Sequence, residues 1–186
     1  MKNNRGKGFT LVEMLITVAL FAIIMLATTQ LYSVYGRMIT LQTSSLGASL
    51  SASAIANAAH RNGLEARHIA STHLFSGVTY TSGTTTIIFE LPALDAAGIP
   101  IANIYDYVGV YASSTSVYQV IDIAPESSRM IVAKQLTNVL DTLHFTYDTP
   151  DFASVTSFIV DATTTATVSG EIIHTHVREH IYLRNL

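Results

Sequence analysis

The chain has 186 residues, about half of them apolar, a formal charge of −3 and no cysteine. Only 12% of its residues are charged, about half the usual share, so Ser and Thr supply much of the polarity and disulfides cannot staple the fold. Beyond the first residues there are no basic clusters, which argues against electrostatic binding of nucleic acid.

The N-terminus is the most informative stretch. Lys2, Arg5 and Lys7 precede Gly8, and from Phe9 to Ala27 the single charge is Glu13. Nineteen residues at a rise of ~1.5 Å make ~28 Å of helix, close to a bilayer core. A carboxylate near the edge of such a span calls for a partner. If the chain is cut after Gly8, the new amine at Phe9 lies four residues from Glu13, ~6 Å along a helix. An anion there is also favoured by the helix dipole. A secretory signal is the competing reading. Its apolar region is shorter, and Ala27-Thr28-Thr29 is a poor cleavage site for it.

Basic leader, Gly8-Phe9, Thr10-Leu11-Val12-Glu13 and the apolar run together resemble the N-terminus of type IV pilins and type II secretion pseudopilins. The resemblance covers about the first 30 residues. It implies cleavage after Gly8 by a prepilin peptidase, N-methylation of Phe9 and an assembly contact through Glu13. It implies other pilin or pseudopilin subunits and the cytoplasmic membrane as partners, with a single pass and an extracytoplasmic C-terminal domain. Many major pilins carry a Pro within this helix, whereas the first Pro here is Pro92; that fits a minor subunit better.

After Ala27 a helical period persists through Leu31, Val34, Tyr35, Met38 and Ile39. One helix is expected from about Phe9 to about His60, with Gly63 as its stop and a break near Gly47 as the alternative. Residues 64–69 read as a short helix, and Ser76-Gly77 and Ser82-Gly83 as turns. Strands are expected at 84–91, 104–111, 117–123 and 129–133, with Pro125–Ser128 turning into the last of these. A helical turn follows around Leu136–Leu140, then a strand at 143–147. A closing hairpin is expected from 155–161 and 171–183, with Ser169-Gly170 near its tip. The fold class is therefore α+β, a long N-terminal helix packed on an antiparallel sheet, which is also the pilin-like architecture. The expected divisions are a leader at 1–8, a membrane half of the helix at 9–31, an amphipathic half at 32–62 and a β-rich domain at 63–186. Leu143-Phe145-Tyr147 and Leu183-Arg184-Asn185 resemble strands of J-type pseudopilins and W-type minor pilins.

Other chemistry is thin. His174, His176 and His180 share one face of the last expected strand with Arg178, while Glu171 and Glu179 fall on the other. No ligand set is completed locally, so a solvated strand face is preferred over a metal site. No nucleophile elbow, zinc-protease motif, P-loop or dinucleotide fingerprint occurs, and Asp148, Asp151 and Asp161 lack calcium-loop spacing. The sequence thus reads as a structural subunit, with no enzyme activity, cofactor or metal expected. The alternative is an extracytoplasmic binding domain or enzyme that uses the helix as a plain anchor. The sequence does not distinguish a type IV pilus, type II secretion or DNA uptake.

Overall fold

The computed structural model describes residues 9–168 and 170–184. Helix α1 runs Leu11–Glu65 without interruption. Ten strands follow: β1 His68–Ile69, β2 Thr72–Phe75, β3 Val78–Thr81, β4 Thr86–Leu94, β5 Pro100–Ser113, β6 Ser116–Asp122, β7 Lys134–Thr137, β8 Leu140–Tyr147, β9 Ser157–Val168 and β10 Glu171–Tyr182. A 3-10 turn, Phe152–Ser154, lies between β8 and β9. The chain divides after Thr43 into two compact units.

The first unit is the helix up to Thr43, and its apolar side chains are exposed from Leu11 through Ile39. The expected face of Leu31, Val34, Tyr35, Met38 and Ile39 is among them, each at least 48% exposed.

The second unit holds the core. Its sheets are antiparallel, ordered β1-β4-β5-β6-β7 and β10-β9-β8, with β2-β3 as a separate hairpin. The part of α1 in this unit buries Ala48, Ala52, Ile55, Ala56, Ala59 and Gly63, an i, i+4, i+7, i+8 stripe. The stripe is mostly Ala, so strands approach the helix backbone closely. Ile55, Ala56 and Ala59 join Phe89, Val108, Phe145, Phe158 and Ile181 in one core cluster. The Thr164 hydroxyl in β9 donates to the Ala48 carbonyl at 2.7 Å, buried. β8 meets the larger sheet's loops, with Phe145 N–H donating to Thr84 O at 2.7 Å and Leu140 N–H to Thr115 O at 2.8 Å. The hairpin β2-β3 sits over the outer side of β5, where Phe75 lies against Gly109; a Cβ there would come within 3.2 Å of the ring.

The α+β layout of a long helix on antiparallel sheets is as expected. Several local expectations are corrected. Gly47 does not break the helix, and Gly63 does not stop it; Gly63 is inside α1, where a Cβ would meet Ile181 Cγ2 at 2.9 Å. The helix ends at Glu65, and 68–69 is a strand rather than helix, paired His68 to Glu90. Residues 129–133 form no strand, because Arg129 turns inward to buried Asp106. The expected helical turn at Leu136–Leu140 is instead the end of β7 and the start of β8. The last hairpin is longer than expected, since β9 continues to Val168. Its tip at Ser169 and the terminal Asn185 lie outside the described residues.

Candidate functional site

The start of α1 is a capping box. Thr10 precedes the first helical residue, and Glu13 is the third. The Glu13 carboxylate, through Oε2, accepts from both the amide N–H and the hydroxyl of Thr10, each at 2.9 Å. In return the Glu13 N–H donates to Thr10 Oγ1 at 3.3 Å. Free N–H groups at a helix start are thereby satisfied reciprocally. Among the described residues Glu13 Oε1 accepts no bond, so one oxygen of the lone carboxylate is available. The Thr10 amide survives a cut after Gly8, so the box does not depend on the leader. Sequence reasoning placed Glu13 by its distance from Phe9 and missed the box, although Thr10-x-x-Glu13 is its signature.

The helix that follows suits an apolar medium. It is the one described helix long and apolar enough to cross a membrane. Its Thr hydroxyls turn back on their own backbone: Thr17 donates to Glu13 O at 2.7 Å, Thr28 to Ile24 O at 2.6 Å and Thr29 to Met25 O at 2.8 Å. Such back-bonding removes the cost of a free hydroxyl in hydrocarbon. Phe9 is 80% exposed at the head of this segment. Gly8, the other half of the expected cut site, lies outside the described residues.

The comparisons bear on this segment. The family model described as the prokaryotic N-terminal methylation motif matches residues 3–29. The chain carries a prokaryotic N-terminal methylation motif. This is the type IV pilin and pseudopilin signature, and the long apolar helix followed by antiparallel sheets is a pilin-like α+β layout. Motif and helix together support anchoring in a membrane. No curated protein and no solved structure matches the chain.

The histidines of β10 are separated by their partners. His176 Nε2 lies 2.8 Å from Asp161 Oδ1, and His174 Nδ1 lies 3.3 Å from Asp141 Oδ2. The His180 ring packs against Tyr182. Among the described residues no three His, Cys, Asp or Glu side chains gather as metal ligands. Asp148 and Asp151 tie down the β8–β9 loop. For Asp148, slight burial pushes its pKa up, but donors from Thr156 and Ser157 outweigh this and hold it below the usual value.

One cleft of about 380 Å³ was not legible in the sequence. His68, Glu90, Tyr107 and Asp151 line it. Glu90 Oε2 lies 3.2 Å from His68 Nε2 and accepts from the Tyr107 hydroxyl at 3.1 Å. Burial and the Glu90 carboxylate push the Tyr107 phenol up to about 12, so it stays a donor at neutral pH. His73 stacks on Tyr107 at 3.7 Å and bonds Asp122 at 2.8 Å. The group holds β1, β2, β4, β5 and β6 together by side-chain bonds, from residues too distant in sequence to form a motif.

Proposed function

We propose that this protein is a minor pilin or pseudopilin, a structural subunit of a type IV pilus or a type II secretion-like filament. On this reading a prepilin peptidase cuts between Gly8 and Phe9, and Phe9 is N-methylated. The apolar helix holds the subunit in the cytoplasmic membrane with its β-rich domain outside, until other subunits draw it into the filament. The observation that carries the reading is the methylation motif over residues 3–29, with Glu13 as the one charge of the apolar segment. A minor role is favoured because no Pro precedes Pro92. No catalytic role is assigned to any residue.

The assembly contact is assigned to Glu13, pairing through its free oxygen with the Phe9 amine of a neighbouring subunit. The test is Glu13→Gln, because Gln retains the capping oxygen and removes only the charge. The variant should insert and be cleaved as the parent is, yet be depleted at least tenfold from sheared filaments. Wild-type incorporation of Glu13→Gln would mean that the carboxylate serves only the helix start. Absence of the parent itself from sheared filaments would favour a domain on a plain anchor.

A further inference from the structure

Residues 129–133, Arg-Met-Ile-Val-Ala, have strand-forming composition but no strand partner. Among the described residues, the N–H groups of Met130, Ile131, Val132 and Ala133 donate to no other group of the chain. Met130 is 96% exposed and Val132 72%. The segment leads into β7, which is an edge strand. It also borders a cleft of about 330 Å³ lined by Arg61, Asn62, Glu65, Gln119, Arg129 and Lys134, with the Glu65 carboxylate paired to Arg129.

The chemistry of that cleft is specific. Arg129 is committed to the fold through Asp106, Glu65 and the Pro92 carbonyl. Arg61 and Lys134 are exposed, and neither side chain has a hydrogen bond or ion pair among the described residues. Loss of Lys2, Arg5 and Lys7 would take the formal charge from −3 to −6, so two unpaired cations at one cleft stand out. Behind them, Asn62 Nδ2 and Gln119 Oε1 are buried and lack any partner, on residues only 2% and 1% exposed. Gln119 touches the segment directly, its Nε2 donating to Val132 O at 3.2 Å. Unsatisfied buried polar groups are costly and call for a partner.

We propose that residues 129–134 and this cleft form a docking edge for an extended, acidic segment of another protein chain. Its backbone would pair, as an added strand, with every second free N–H of 130–133, those that face away from β6. Its carboxylates would meet Arg61 and Lys134, and its apolar side chains would cover Met130 and Val132. A small anion would satisfy the cations but leave the apolar residues and the row of N–H groups uncovered. The surface lies wholly in the second unit, so this inference stands apart from the pairing at Glu13.

The experiment uses the full chain in detergent and a short acetylated peptide alternating Glu with Val. Binding is read by titration calorimetry and by amide shifts at 129–134. The expected result is binding that weakens with salt and falls about tenfold or more in Arg61→Glu and in Lys134→Glu. Ala133→Pro, which deletes an exposed N–H that donates to nothing in the chain and alternates with Val132, should weaken it as well. The same peptide with Lys for Glu should not bind, and sodium acetate should not compete. The proposal is overturned if the Glu peptide does not bind, if both charge reversals leave binding unchanged, or if acetate competes fully. Because Glu13→Gln keeps both Arg61 and Lys134, it should bind the peptide as the parent does, whatever its fate in filaments.

Discussion

Replacing Arg129 by Met should cost the second unit about 3–5 kcal/mol, the usual loss when one partner of a buried ion pair is removed. The full figure applies because the Arg129 side chain is 9% exposed and that of Asp106 is 0%. The bond from Arg129 Nε to Asp106 Oδ2 is 3.1 Å. In the variant, Asp106 retains the Ala124 N–H at 2.9 Å and the Ser127 hydroxyl at 2.7 Å, but no cation. Glu65, 46% exposed, adds little, because an exposed pair is worth under about 1 kcal/mol. In urea, with a slope near 2 kcal/mol per M, the midpoint should fall by about 2 M. The assay is urea unfolding of the full chain in detergent, followed by circular dichroism in the β region. Adding Asp106→Asn removes the stranded charge while an amide oxygen still accepts from Ala124, so the double variant should recover part of the loss. A loss below about 1 kcal/mol for Arg129→Met, or a double variant worse than the sum of the singles, would refute the assignment of this pair as the link between α1, β4 and β5.

Two glycines of one helix should respond in opposite directions. Gly47→Ala meets nothing within 4 Å and should stabilise by about 0.5–1 kcal/mol, whereas Gly63→Ala drives a methyl to 2.9 Å from Ile181 Cγ2 and 3.1 Å from Phe158 Cε1 and should destabilise by about 1–2 kcal/mol net; thermal melts of the two variants check the signs. Asp148 has a folded pKa below the ordinary 3.8, so its contribution is complete above that value and is lost as the pH falls through the lowered one. Acid unfolding of Asp148→Ala should therefore show a shallower loss of stability below about pH 4 than the parent, and an unchanged acid limb would remove Asp148 from the account.

How much of this was legible depends on how local each signal is. The basic residues before Gly8, Gly8-Phe9 and Glu13 form one contiguous pattern, so the methylation motif could be read directly. The alternation of β10 was also readable, since Ile181 and Leu183 are buried while His180 and Tyr182 are exposed. β9 was cut short because its later inward positions are Ala162 and Thr164, small or polar residues that disguise a period of two. The stripe that seats α1 was missed for a related reason: Ala carries little hydrophobic signal, and the larger side chains of Leu31–Ile39 drew attention instead. Strands β1, β2 and β3 have two to four residues each and hold their places through partners elsewhere, such as Glu90 and Asp122. Residues 129–133 had the propensity of a strand, but Asp106, 23 residues earlier, decides where Arg129 goes. The Asp106–Arg129 pair, the Thr164–Ala48 bond and the Glu90 cleft each join residues far apart in the chain, which a single sequence does not show.

The central claim is that the N-terminus is processed for assembly, and the intact mass of the protein purified from membranes tests it most directly. The account predicts a chain that begins at Phe9, lacking residues 1–8 and carrying one added methyl group. A chain that keeps its leader, or one cut beyond the apolar run near Ala27, would contradict it.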